Sequence, residues 1–185
     1  PPLVSKPKKI LILGAGPASL EAACTAKLFG HEVIIYERQS RIGGQLNVAW
    51  VPPGREEIRK IIDFYENRLR DLNIPVKLGV QLTPAQILDQ SPDIIWCGTG
   101  VHFNIPPIRG VDGSLNCNVC FADEALDGNV ALGKRVVIIG AAATGVETAL
   151  WAARRGAMSP ESARFLAFYH ALPLEEAMQR TFRGD

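Results

Sequence analysis

No apolar run in the 185-residue chain approaches the ~18 residues that a membrane-crossing helix needs. The opening stretch, Pro1-Pro2-Leu3-Val4-Ser5-Lys6-Pro7-Lys8-Lys9, lacks the apolar core of a secretory signal and reads as a linker over residues 1–8 from an upstream domain. An excess of charge is missing too. Twenty basic against 19 acidic residues leave a formal net charge of +1, which gives no electrostatic basis for a nucleic-acid or membrane partner. Cysteine is sparse, at four, and in a chain of this size and type that is no disulfide framework, so a reducing cytoplasm is expected. No metal-ligand cluster, activated nucleophile or general acid stands out, so no residue is assigned as catalytic or as a metal ligand. What remains is an ordinary globular profile, 47% hydrophobic and 21% charged, long enough for one domain and part of another.

The informative stretch runs from Lys9 to Ala23. Ile10 to Leu13 is a short apolar run suited to a buried strand. It breaks at Gly14-Ala15-Gly16 and resumes as a helical pattern from Pro17-Ala18. A strand, a tight glycine turn and a helix start suit a pyrophosphate on a helix N-terminus. Gly14 permits the turn, Gly16 leaves the backbone bare, and the helix supplies free N–H groups and the positive end of its dipole. The third glycine of the fingerprint is replaced by Ser19, which predicts slightly wider packing of helix on strand. Leu20, Ala23, Cys24 and Leu28 are the expected core face of this helix, with Cys24 a small apolar filler. Val33 to Tyr36 makes a second strand ending in Glu37, roughly 20 residues past the glycines, where an acid hydrogen-bonds an adenosine ribose. Arg38 beside it joins the candidate set, but an acid at 37 would repel a 2′-phosphate.

Further along, Gly43-Gly44-Gln45-Leu46 offers bare backbone and an amide to a second part of a ligand. Pro52-Pro53-Gly54 turns the chain into an amphipathic helix with Ile58, Ile61, Ile62, Tyr65, Leu69 and Leu72 inward, and with Arg55 near its start. Pro75 to Leu82 reads as a strand, Thr83-Pro84-Ala85 as a capped helix start, and Asp93 to Gly100 as a buried strand ending in a small-residue turn. A second strand–turn–helix follows at Arg135 to Ala149. There Gly140 and Gly145 hold the outer glycine positions and Ala142 replaces the middle one. Ser159-Pro160 starts a helix that Pro173 ends, and Leu174 to Phe182 suggests another. Cys117-Asn118-Val119-Cys120 admits a redox dithiol, half of a metal site, or incidental cysteines; no second ligand pair supports the metal.

Taken in order, Gly14-Ala15-Gly16-Pro17-Ala18, Glu37, Gly43-Gly44-Gln45-Leu46 and Pro53-Gly54-Arg55-Glu56-Glu57 resemble one group of flavoproteins. The match is to the nucleotide-binding part of the 2,4-dienoyl-CoA reductase, trimethylamine dehydrogenase and 2-enoate reductase family, over Lys8 to about Gly156. The resemblance implies a three-layer, Rossmann-like α/β fold with a mostly parallel, truncated sheet. Residues 9–110 would be the N-terminal part of an FAD-binding domain and 111–130 a crossover. Residues 131–185 would hold the first strand–helix unit of an NAD(P)-binding domain plus a helical insertion over 158–185.

It further implies FAD contacts at Gly14, Ala15, Gly16, Pro17, Ala18, Glu37, Arg38, Gly44, Gln45, Leu46 and Arg55, with backbone at Leu82 meeting adenine. Thr99 and Gly100 would face the flavin, and Gly140, Gly145 and Glu147 the nicotinamide nucleotide. Electrons would pass from NAD(P)H through FAD to FMN and a 4Fe-4S cluster, both expected only in an upstream part of the full-length enzyme. That upstream part is the expected partner and would reduce an unsaturated thioester or carboxylate. The truncated sheet would expose apolar surface and favour a homo-oligomer. Two other readings stand beside this one: a thioredoxin-reductase-like enzyme using Cys117 and Cys120, and a non-catalytic module that binds ADP instead of FAD.

Overall fold

The fold was analysed in a computed structural model that describes residues 2–102, 104–115, 118–133, 135–155, 160–171, 173, 175 and 178. The chain divides into two compact units, Pro1–Trp50 with Arg55–Val119, and Val51–Gly54 with Cys120–Asp185.

The first unit is α/β with a parallel sheet, as expected. It contains β1 (Lys9–Leu13), α1 (Pro17–Leu28), β2 (Glu32–Tyr36), α2 (Leu46–Ala49), a 3₁₀ turn (Glu56–Ile58), α3 (Arg59–Asp71), β3 (Val76–Lys77), α4 (Pro84–Asp89) and β4 (Ile94–Cys97). The strand order is β3-β2-β1-β4 and every pairing is parallel. β1 runs between β2 and β4, pairing Lys9 with Glu32 through Leu13 with Tyr36 on one side, and Ile10 with Ile94 through Leu13 with Cys97 on the other. A strand covered on both sides must be apolar throughout, and Leu11 and Ile12 are 0% and 1% exposed. Leu20, Ala23 and Cys24 of α1 are buried in one cluster with Ile10, Ile12, Val33 and Ile35, while Leu28 is half-buried.

Several expected elements are shorter or more open than their sequence suggests. In α3, Ile62 and Leu69 are buried and Tyr65 and Leu72 partly so, but Ile61 is 41% exposed. Only a narrow stripe of α3 faces the core, and Ile61 sits one residue, about 100° of helix turn, off it. The strand expected over Pro75 to Leu82 pairs only at Val76 and Lys77. Gly79, at φ +69, then turns the chain, and the Gly79 and Val80 N–H groups donate to the Gln39 and Glu37 carbonyls at 2.8 and 2.9 Å. The stretch expected as a buried strand, Asp93 to Gly100, forms a ladder only over Ile94–Cys97. Ile94, Ile95 and Trp96 stay 38–43% exposed, because β4 is an edge with no further strand beside it among the described residues. Its start is tied to β1: Asp93 Oδ2 accepts from the Lys9 N–H at 2.7 Å, and Gln90 accepts from Lys9 Nζ and from the Tyr36 hydroxyl. α4 begins as expected, with Thr83 and Gln86 capping each other's backbone.

The second unit contains α5 (Ala122–Leu126), α6 (Ala143–Arg154) and α7 (Pro160–Phe168). α5 had no counterpart in the sequence reading; Glu124 accepts the Phe121 N–H at 2.8 Å. The strand expected at Arg135 to Ile139 does not form, and Val137 and Ile139 are 88% and 66% exposed. Strand backbone needs a neighbour for its hydrogen bonds, and no described strand lies beside this one. α7 ends at Phe168, ahead of Pro173, and the segment from Leu174 to Phe182 falls largely outside the described residues. Among the described residues no helix is long and apolar enough to cross a membrane.

The contrast between β1 and β4 has a measurable consequence. Leu11→Ala, in a site with no exposed surface, should lower the unfolding free energy by about 2–5 kcal/mol. Ile95→Ala on the half-exposed edge should cost about 1 kcal/mol. Urea denaturation of the two variants compares them directly.

Candidate functional site

The chain leaves β1 toward β2 and β3 on one side, then returns to place β4 on the other. In open parallel sheets that reversal opens a crevice at the carboxyl ends of the two diverging strands, and ligands bind there. Here the crevice lies past Leu13 and Cys97, where Gly14 and Gly98 follow their strands. The two meet with no side chain between them. Gly14 has φ +91, and a Cβ built on it would collide with the Gly98 carbonyl.

Ala15, the residue between the two loop glycines, is held from both sides. Its N–H donates to Glu37 Oε2 at 2.7 Å, and its carbonyl accepts the Gly43 N–H at 2.8 Å. Glu37 is 8% exposed, and its other oxygen accepts the Gln39 N–H at 2.8 Å. Two charge-assisted bonds from backbone therefore fix the carboxylate. Each oxygen keeps a second lone pair, enough for the donors of a ribose diol.

Gly16 is the N-cap of α1, with φ −76 and ψ 171, values any residue adopts. A Cβ added to it would meet no heavy atom within 4 Å. Neither conformation nor packing within the chain calls for glycine here, so the bare α-carbon faces open space at the helix's positive end. The first turn of α1 carries no acidic residue to oppose an anion. Gly44, at φ +51, closes the opposite wall, and a Cβ on it would stand 3.0 Å from the Gly16 α-carbon. The geometry fits a nucleotide pyrophosphate with its ribose toward Glu37.

Sequence reasoning missed the residue that holds this wall. Asn47 is buried, and its Nδ2 donates to the Ile42 carbonyl at 2.8 Å and to the Gly44 carbonyl at 3.2 Å. The signal was a lone amide next to Leu46 and Val48, just past two glycines. Of the other expected residues, Pro17 and Ala18 open α1 and are exposed, as are Arg38 and Gln45, while Leu46 is half-buried at the start of α2. Arg55 is half-buried ahead of the 3₁₀ turn, and Leu82 is half-buried two residues after Val80, whose N–H reaches the Glu37 carbonyl. Thr99 and Gly100 are exposed directly after Gly98.

The expected second loop lies in the other unit. Its backbone repeats the first at two points: Ala142 caps α6 with φ −78 and ψ 176, and Gly140 has φ +113. A Cβ on Gly145 would collide with the Gly140 carbonyl, whereas the first loop carries Ser19 at that position. The one difference at the cap is the Ala142 methyl where Gly16 has none. Glu147 is half-buried on α6. Cys117 lies outside the described residues. Burial pushes the Cys120 thiol above its ordinary value, and the carboxylates of Glu124 and then Asp123 push it further, so Cys120 favours the unreactive thiol. No group of His, Cys and carboxylates able to hold a metal occurs among the described residues.

A crevice of this kind defines a nucleotide-binding α/β domain. Comparison with known proteins agrees: residues 2–94 match the family model for pyridine nucleotide-disulphide oxidoreductase, and the chain belongs to that family. It is 36% identical to a metal reductase of Desulforamulus reducens, over 97% of this chain and 27% of that protein. It is 34% identical to a cinnamate reductase of Clostridium sporogenes, over 80% of this chain and 22% of that protein. The solved structure of a 2-naphthoyl-CoA reductase superposes with a TM-score of 0.78 at 32% identity, covering 84% of this chain and 23% of that one. The chain thus spans about a quarter of the length of these relatives. The cinnamate and 2-naphthoyl-CoA reductases among these relatives agree with the resemblance drawn from the glycine segments and Glu37.

Two measurements follow. Asn47→Ala removes the side-chain bonds to the Ile42 and Gly44 carbonyls. The Asn47 backbone N–H still serves Gly44, but the Ile42 carbonyl loses its side-chain donor, so the variant should be destabilised by about 1–3 kcal/mol in urea unfolding. Alkylation of Cys120 by iodoacetamide should be slower at pH 7 than that of an unhindered thiol. It should accelerate only as pH rises beyond the ordinary thiol range, since the raised value keeps the thiolate scarce below it.

Proposed function

We propose that this chain is the FAD- and NAD(P)H-binding portion of a flavin-dependent oxidoreductase. The observation that carries the reading is the empty space over Gly16 beside the Ala15–Glu37 clasp. Gly14 and Gly16 would present backbone to the pyrophosphate, Glu37 would accept from the ribose, and Gly44 would close over the phosphates. Gln45, Leu46 and Arg55 would line the far wall. Arg38 and Leu82 would flank the adenosine, with Thr99 and Gly100 at the flavin. Gly140, Gly145 and Glu147 would serve the nicotinamide nucleotide. When bound, FAD would supply the two-electron acceptor for a nicotinamide hydride.

The chain's own part is to bind and orient, and no residue is assigned as acid, base or nucleophile. The wider role proposed is delivery of electrons to the remainder of a longer cytoplasmic protein. There FMN and a 4Fe-4S cluster would serve reduction of an enoate or enoyl-CoA. The names of the cinnamate and 2-naphthoyl-CoA reductases support that substrate class.

A second reading is an ADP-binding module without redox chemistry. The Ala142 methyl favours it, since that methyl stands at the cap position where a second pyrophosphate would approach bare backbone. The raised Cys120 thiol gives no support to a dithiol mechanism.

Gly16→Ala separates ligand binding from folding. An added Cβ meets no heavy atom within 4 Å, so stability should fall only by the helix-cap difference, about 1 kcal/mol or less. Affinity for FAD or ADP, measured by calorimetry, should fall more than about tenfold, or 1.4 kcal/mol. Equal affinity in the variant and the wild type would overturn the crevice assignment. A flavin absorption spectrum after addition of FAD distinguishes the flavoprotein from the ADP module.

A further inference from the structure

We propose that Ser19 and Gly98 are a size-matched pair that sets the gap between α1 and β4, and thereby positions the Thr99-Gly100 turn against the phosphate loop. The inference rests on the nucleotide reading above and names two positioning residues within the same site.

Ser19 is 0% exposed, and its hydroxyl has no hydrogen-bond partner among the described residues. A buried hydroxyl without a partner is unfavourable, so its place must be explained by what it fills. It fills the side-chain position of Gly98. A Cβ built on Gly98 would overlap Ser19 Oγ and stand 3.3 Å from Ser19 Cβ and 3.2 Å from Trp96 Nε1. Gly98 is not among the glycines with positive φ. Its backbone would accept alanine, and packing is what excludes one.

On the β4 side Ser19 is met by a glycine, not by a larger side chain. The extra atoms on the helix side are matched by atoms missing on the strand side. Gly98 is also held elsewhere: its N–H donates to the Leu13 carbonyl at 2.9 Å, and its own carbonyl abuts Gly14. A methyl at 98 could be admitted only by moving this residue off α1. That would strain the Leu13 bond and shift Thr99 and Gly100 relative to Gly14 and Gly16.

The test is a double-mutant cycle in the full-length protein, read by urea unfolding and by equilibrium binding of FAD and of ADP. Gly98→Ala alone should lower the unfolding midpoint and weaken FAD binding at least tenfold, with a smaller effect on ADP, which lacks the flavin proposed to face the Thr99-Gly100 turn. Adding Ser19→Gly should bring FAD affinity back to within threefold of the wild type, and Ser19→Ala should rescue only in part. If Gly98→Ala yields no folded protein, recovery of folded protein in the Ser19→Gly double variant is the expected rescue. A double variant as impaired as Gly98→Ala alone overturns the pairing. If the wild type binds neither nucleotide, the nucleotide reading fails, and the pairing then stands or falls on rescue of the unfolding midpoint.

Discussion

Two backbones approach each other with nothing between them where β1 and β4 end, and the rest of the site depends on that contact. Gly14 lies against the carbonyl of Gly98, which brings the turn after one strand into register with the turn after the other. From there Ala15 presents its N–H to Glu37 and its carbonyl to Gly43. One short loop is thus clasped by the end of β2, by the glycine pair ahead of α2 and by the end of β4. Three segments that all follow the loop in sequence converge on its three residues, and the space left open is the space over Gly16.

The Glu37 clasp also explains how such a crevice keeps its shape. A carboxylate that accepts two backbone N–H groups is already oriented in the folded chain, so a ligand donating to it would cost it little freedom. Asn47 does the same for the opposite wall by spanning the carbonyls of Ile42 and Gly44. These polar side chains are buried at little cost because each is hydrogen-bonded to backbone groups. The relatives to which this chain is similar are about four times as long.

The second glycine loop reproduces the first in backbone but not in surface. Near-identical dihedrals at Gly16 and Ala142 show that the turn tolerates a side chain conformationally. A methyl at that point therefore bears on what the loop can receive and not on whether it folds. The described strand preceding the first loop is paired on both sides, while the segment preceding the second pairs with no strand among the described residues. The helix starts stand regardless, because a helix satisfies its own backbone and a strand does not.

What the sequence settled by itself was local. The run from Ile10 to Leu13, the glycine turn, the helix from Pro17, the acid after β2 and the Thr83 cap all follow from residues within a few positions of each other, and each lies where the pattern placed it. Tertiary structure alone decided which apolar segments are covered. Ile94 to Trp96 and Val136 to Ile139 are as β-prone as Ile10 to Leu13, yet one is a half-exposed edge and the other no strand at all. It also decided why Ser19 and Gly98 are tolerated. Seventy-nine positions apart in the chain, they share one volume, and no reading of either residue's neighbours in sequence reveals the other. Periodicity and turn chemistry are encoded within a few residues, whereas burial and fit are properties of surfaces that meet only after the chain has folded.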